Sequence, residues 1–190
     1  MGMGEPLLNY ENIRKSLEIM LAQDRLSLGR RHITISTCGI IPWIEKLIED
    51  KVDVKLAISL HAPNQELRNQ IMPIAKAYHL EELMKTIDRY VKATDNRIFY
   101  EYIMIHGVTD KPELAHQLVK LLKGRLAHLN LIPYNENPAI DLKESKKADI
   151  QKFKQILEEG GVTVTVRDSM GREAKGACGQ LGYEKVKDQN

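Results

Sequence analysis

Cysteine is nearly absent: the 190 residues contain only Cys38 and Cys178, far apart in sequence. Such a pair builds neither a disulfide framework nor a zinc site, so a reducing, cytoplasmic setting is expected. No apolar run approaches the roughly 18 residues of a membrane helix, and no secretory signal pattern is seen. An excess of one charge is also missing, with 28 Lys+Arg against 26 Asp+Glu and a formal net charge of +2. The resulting pI of 8.4 falls short of the value above about 9 that marks an electrostatic nucleic-acid footprint. RNA binding would therefore need the charges segregated on one face. A Walker loop, an HExxH helix and a Ser-hydrolase elbow are absent, and His79, His106 and His116 stand at no metal-ligand spacing. What remains is a globular chain, 43% hydrophobic, with enough length for one substantial core.

Within it, helical and strand patterns alternate. Helices are predicted from Asn9 (Ile13, Leu17, Leu21), from Pro42, over Leu80 to Val91, from Pro112 to Gly124 with Asp110 as cap, and from Ser145 to Gly160. Strands are predicted at 31–37, 52–60, 97–105, 126–134 and 162–167. Strands separated by helices imply βαβ units and a parallel sheet. Several strands alternate rather than run continuously apolar: Val52, Val54, Leu56, Ile58 and Leu60 oppose Asp53, Lys55, Ala57, Ser59 and His61. Helices outside a barrel would cover the apolar faces and leave the polar ones to line a lumen. The expectation is a partial (β/α) TIM-like barrel of about five parallel strands, against eight in the full barrel.

Short motifs cluster at the strand ends. Gly2-Met-Gly-Glu-Pro6 reads as a plain turn or as exposed backbone with Glu5 facing an amine. Ser36, Ser59 and His61 fall on the lumen face, where His61 is either a ligand or a satisfied interior histidine. Asn135 is either a turn former or a ligand partner. Cys178, between Gly176 and Gly179, is an exposed thiol or a small apolar filler, while Cys38 reads as packing.

In order along the chain, these pieces resemble the radical-SAM rRNA adenine methyltransferases of the RlmN/Cfr type. The resemblance rests on Gly-Met-Gly-Glu-Pro at 2–6, Arg-His-Ile-Thr-Ile-Ser-Thr at 31–37 and Ile-Ser-Leu-His-Ala-Pro-Asn at 58–64. It continues through Leu67-Arg68, Met72-Pro73-Ile74, Glu101-Tyr102, Gly107-Val108, Asn-Leu-Ile-Pro-Tyr-Asn at 130–135, Thr165-Val166-Arg167 and Ala-Cys-Gly-Gln-Leu at 177–181.

The resemblance implies that Gly4 and Glu5 hold the methionyl part of S-adenosylmethionine (SAM), with Ser36, Ser59, Leu60, His61 and Asn135 completing the pocket. It implies that Cys178 carries a methyl group to C2 of an adenine in large-subunit rRNA, and possibly in tRNA, with a 4Fe–4S cluster generating the radical from a second SAM. A reductant and RNA are the implied partners, and no membrane. The family's CxxxCxxC cluster motif is not in this sequence, and two cysteines cannot replace it. The chain is therefore expected to be the C-terminal part of such an enzyme, inactive alone and open to self-association along an uncovered strand. Residues 1–183 form its domain and 184–190 a disordered tail. A C8-methylating relative, or a non-catalytic module that binds SAM or RNA, are the alternatives. Ala75, Thr109 and the Glu173-Ala-Lys-Gly176 run depart from the family's usual residues.

Overall fold

The structure, a computed structural model, describes residues 4–136 and 140–167. Cys178 and the tail at 184–190 lie outside the described residues. Five strands, β1 (Thr34–Thr37), β2 (Lys55–Ser59), β3 (Ile98–Met104), β4 (Ala127–Pro133) and β5 (Val164–Val166), form one parallel sheet in the order of the chain. Six α-helices accompany them: α1 (Tyr10–Leu21), α2 (Ile41–Glu49), α3 (Gln65–Ile71), α4 (Leu80–Thr94), α5 (Pro112–Leu122) and α6 (Lys147–Glu159). Sequential strand order with right-handed crossovers puts every crossover helix on the same side of the sheet. The partial barrel expected from alternation is therefore present, and it does not close: β1 and β5 are its edges among the described residues.

The apolar faces pack as the periodicity dictates. Val54, Leu56, Ile58 and Leu60 are fully buried, as are Tyr100, Tyr102 and Met104 of β3 and Leu129 and Leu131 of β4. Against them α4 buries Leu83, Met84, Ile87 and Tyr90, and α6 buries Phe153 and Leu157. Tyr102 and Phe153 stack with centroids 5.4 Å apart. At the N-terminal end of the chain, Tyr10 stacks on Trp43 at 5.1 Å and donates to Asp50 Oδ2 at 2.8 Å, which pins α1 to α2.

The strand cores match the sequence expectation and the ends are trimmed. Arg30–His32 forms a 3-10 turn instead of the start of β1. Two capping expectations are corrected. Asp110 does not cap α5; its Oδ1 accepts from Gly107 N at 2.9 Å inside the preceding loop. Ser145 does not cap α6, which starts after Lys146, and its hydroxyl is buried. α3 was invisible to periodicity, being seven residues of mostly polar type. What starts it is Asn64, whose side chain accepts from Leu67 N at 2.9 Å.

α3 exists to carry Arg68, the largest fully buried side chain. Its Nε donates to Leu60 O at 3.3 Å, Nη1 to Tyr78 O at 3.3 Å and Nη2 to Cys38 O at 2.9 Å. One planar cation thus ties together the ends of β1 and β2 and the loop before α4. Burial lowers its pKa, as removal from water always does for a cation. Next to it Gly39, at φ +95°, lets Leu83 approach to 2.8 Å of where a Cβ would sit.

Replacing Arg68 by methionine keeps the volume, leaves the Cys38 and Tyr78 carbonyls without donors and Leu60 O with Ala62 N alone, each orphaned carbonyl costing about 1–3 kcal/mol. Urea unfolding of R68M should show a loss of about 3 kcal/mol or more. A loss under about 1 kcal/mol would remove Arg68 from this role.

Candidate functional site

In a barrel of this kind the C-terminal strand ends bear the chemistry, and here they are shaped by turns that the backbone adopts only under constraint. After β2 the chain makes a three-residue γ-turn, in which Ala62 N donates to Leu60 O at 2.8 Å with His61 at φ +55° between them. A non-glycine residue in this region is strained, and the surroundings must hold it there. They do so from both sides. Leu60 N and His61 N both donate to Glu101 O, at 3.0 and 3.1 Å, and His61 Nδ1 accepts from Ile103 N at 3.2 Å. The imidazole thus replaces the backbone partner that β2 stops providing where it turns away.

That bond fixes the tautomer, with Nδ1 as acceptor and the proton on Nε2. Burial, with a smaller contribution from Arg68, lowers the His61 pKa from 6.5 to about 4. His61 is therefore neutral near pH 7 and offers an N–H donor. The structure satisfies Nδ1 of His61 within the protein and places the ring at the rim of the lumen, with Nε2 left as the donor.

Glu5 makes the second constraint. Its Oε1 accepts from Leu7 N at 3.0 Å and its Oε2 from Cys38 N at 2.7 Å, so the carboxylate clips the segment before α1 onto the end of β1. Gly4 precedes it at φ +100°, a conformation suited to glycine. Cys38 is pushed up to about 12, first by burial and then by Glu5, so its thiol is no nucleophile near neutral pH. This agrees with the packing role expected for it.

Gly4, Glu5, Ser36 and Ser59 line a single open groove of about 860 Å³ running along β1 beside α1. Leu60, His61 and Asn135 lie outside its lining. Leu60 is fully buried in the core, and its N–H and C=O are both engaged. Asn135 is buried just past β4. A second groove, about 520 Å³, lies between Arg14 and Asp53 at the opposite ends of the strands and holds none of the expected residues.

Sequence reasoning missed three features because each exists only in the folded chain. Glu101, Ser59 and Asn130 stand on one rung of the sheet, with Asn130 Nδ2 donating to Glu101 Oε1 at 2.9 Å. His106, Asp110 and Asp149 each bring a ligand atom within 4.8 Å of the others, although Asp110 already serves Gly107. Thr109, a departure from the family pattern, is fully buried, with its hydroxyl donating to Ile103 O at 2.6 Å and accepting from Ile105 N at 2.7 Å. Thr109 therefore supplies a donor and an acceptor in the loop after β3. The Glu101-Tyr102 pair had already marked this strand as part of the resemblance.

A parallel five-stranded sheet with its connecting helices defines an α/β domain of the partial-barrel type. The comparisons make the class specific. The pattern of the Radical SAM superfamily matches residues 1–119, and the chain belongs to that superfamily. The chain is 50% identical over 188 residues to a probable dual-specificity RNA methyltransferase RlmN of Thermoanaerobacter sp. (strain X514), covering 99% of this chain and 55% of that protein. It is 49% identical to the protein of the same description in Clostridium novyi (strain NT), covering 95% of this chain and 53% of the relative. A radical SAM methyltransferase from Sphaerobacter thermophilus superposes with TM-score 0.91 at 42% identity, over 95% of this chain and 53% of that one. The chain thus spans about half the length of the curated relatives it matches. No helix among the described residues is long and apolar enough to cross a membrane.

The His61 pKa gives a sign for pH dependence. The unfolded chain takes up this proton near pH 6.5 and the folded one only near pH 4. Between those values the unfolded state binds more protons, so stability falls as pH drops from about 6.5 towards 4. Urea midpoints measured at pH 7 and pH 5 should show this loss. H61N should flatten the dependence, and an unchanged slope in H61N would contradict the assignment.

Proposed function

We propose that this chain is the SAM-holding C-terminal part of an RNA methyltransferase of the RlmN type, acting on adenine C2 of large-subunit rRNA and also on tRNA. The observation that carries the reading is the shared groove, in which Gly4, Glu5, Ser36 and Ser59 converge from three separate segments of the chain. Its volume lies in the range of pockets for ligands the size of a nucleoside amino acid.

The residues fit the methionyl end of SAM. Each Glu5 oxygen accepts one backbone N–H and retains a second lone pair for an ammonium group. Ser36 and Ser59 offer hydroxyls on the luminal side, and neutral His61 offers its Nε2 proton nearby. Leu60 contributes by holding the turn, and Asn135 closes the end of β4. SAM, when bound, supplies the methyl group for Cys178. The residues do not fit a 4Fe–4S cluster, because the two cysteines, Cys38 and Cys178, cannot supply three thiolate ligands. The chain by itself therefore binds the cofactor without performing radical chemistry; a cluster-bearing segment and a reductant complete the enzyme in the cytoplasm. The unpaired β1 edge is the surface through which the isolated chain self-associates.

Calorimetric titration of the 190-residue chain with SAM should show saturable binding, weakened about tenfold by S59V or E5Q. Anaerobic incubation with iron, sulfide, reductant and rRNA should give no methylated adenine by mass spectrometry. Absence of SAM binding by the folded chain, or a methylated product, would contradict the reading.

A further inference from the structure

Where the turn after β3 meets the start of α6, His106, Asp110 and Asp149 converge from two segments of the chain, each with a ligand atom within 4.8 Å of the others. His106 Nδ1 and Asp110 Oδ2 stand 3.4 Å apart. That is beyond the roughly 3.2 Å reach of a good N–H···O bond. It is close to the separation of two ligands each about 2.1 Å from one tetrahedral ion. The other oxygen of Asp110 accepts from Gly107 N at 2.9 Å, which fixes the orientation of this buried carboxylate. Asp149 lies in the first turn of α6, and its carboxylate has no hydrogen bond or ion pair among the described residues. His106, half exposed, is free to swing and close the set.

A second observation points to the same place. Ser145 is 3% exposed, and its hydroxyl oxygen is buried without a hydrogen-bond partner among the described residues. His106 N donates to Lys143 O at 2.9 Å, and Ile105 bridges Glu144 in the antiparallel sense. Side chains alternate along such a ladder, so His106 and Ser145 project to the same side of it. Ser145 also stands one helical turn before Asp149 in the chain. An unpaired buried hydroxyl is costly, and a cation that takes its lone pair removes the cost.

We propose that His106, Asp110 and Asp149 bind a divalent first-row metal ion, with the Ser145 hydroxyl as fourth donor, and that the ion staples the turn after β3 to α6. One imidazole among oxygen ligands suits a manganese- or zinc-like ion better than magnesium or calcium, which take oxygen alone. None of the four residues lines the cofactor groove, so the site is independent of the SAM reading.

Titration of the 190-residue chain with Mn²⁺, followed by loss of the free-ion electron paramagnetic resonance signal, tests this. Manganese is used because the two thiols would compete for zinc. The wild type should take up one ion per chain, and its thermal midpoint should rise as the ion saturates. D149N and H106Q, both changes outside the core, should each weaken uptake about tenfold or more. S145A should also weaken it, yet unfold at a higher temperature than the wild type when no ion is present, because the unpaired hydroxyl is gone. A plain ion pair of His106 with Asp110 predicts instead that H106Q lowers the midpoint and Mn²⁺ leaves it alone. That result overturns the inference, as does the absence of uptake. Equal uptake by wild type, D149N and S145A marks an adventitious ion only and overturns it too.

Discussion

The Arg68 guanidinium is the contact on which the strand ends depend. It reaches the carbonyls of Cys38, Leu60 and Tyr78 from one buried position. Without it, the Cys38 carbonyl leaving β1 and the Tyr78 carbonyl before α4 would lose their donor, and Leu60 O leaving β2 would keep only Ala62 N. A buried charge without a carboxylate beside it is expensive. Arginine tolerates this because its planar fork distributes the charge over several carbonyl dipoles. The strained γ-turn at His61 follows from this anchoring: Leu60 O accepts from both Arg68 and Ala62, which locks the turn between α3 and β3.

From that anchor the site is assembled by substitution of side chains for missing backbone partners. His61 Nδ1 takes the N–H of Ile103 where β2 has turned away, and Glu5 takes the N–H of Cys38 where β1 has ended. Thr109 does the same for Ile105 after β3. Parallel strands end with unsatisfied amides, and each of these polar residues satisfies one of them. The residues of the family motifs are therefore structural first, and this accounts for their being at the strand ends at all. It also separates their positions: Leu60 is engaged through its backbone, whereas Ser36 and Ser59 line the groove.

Alternation in 52–60 and 126–134 was enough to read the sheet, its lumen face and the placement of Ser59 and His61, because one-sided burial imposes period two on a strand. Helices α4, α5 and α6 were legible from their apolar stripes. α3 was not, since a seven-residue helix that buries a single arginine leaves no periodicity. Asp110 and Ser145 satisfied a cap pattern that tertiary packing overrode: the first is drawn to Gly107, the second is buried before the helix starts. The rung of Ser59, Glu101 and Asn130 depends on register between distant strands, which no local pattern encodes. Within β3 the burial of Glu101 beside Tyr100 and Tyr102 reads as a blemish in the alternation, and only the fold shows that it faces the lumen.

SAM bound as proposed occupies the space bounded by the ends of β1 and β2, and amide hydrogen exchange tests this residue by residue. Adding SAM to the chain should slow exchange at Glu5–Leu7, Ser36–Gly39 and Ser59–Ala62, with α6 and the Arg14–Asp53 groove unchanged. Slowed exchange confined to that opposite groove, or no change at the strand ends at saturating SAM, would contradict it.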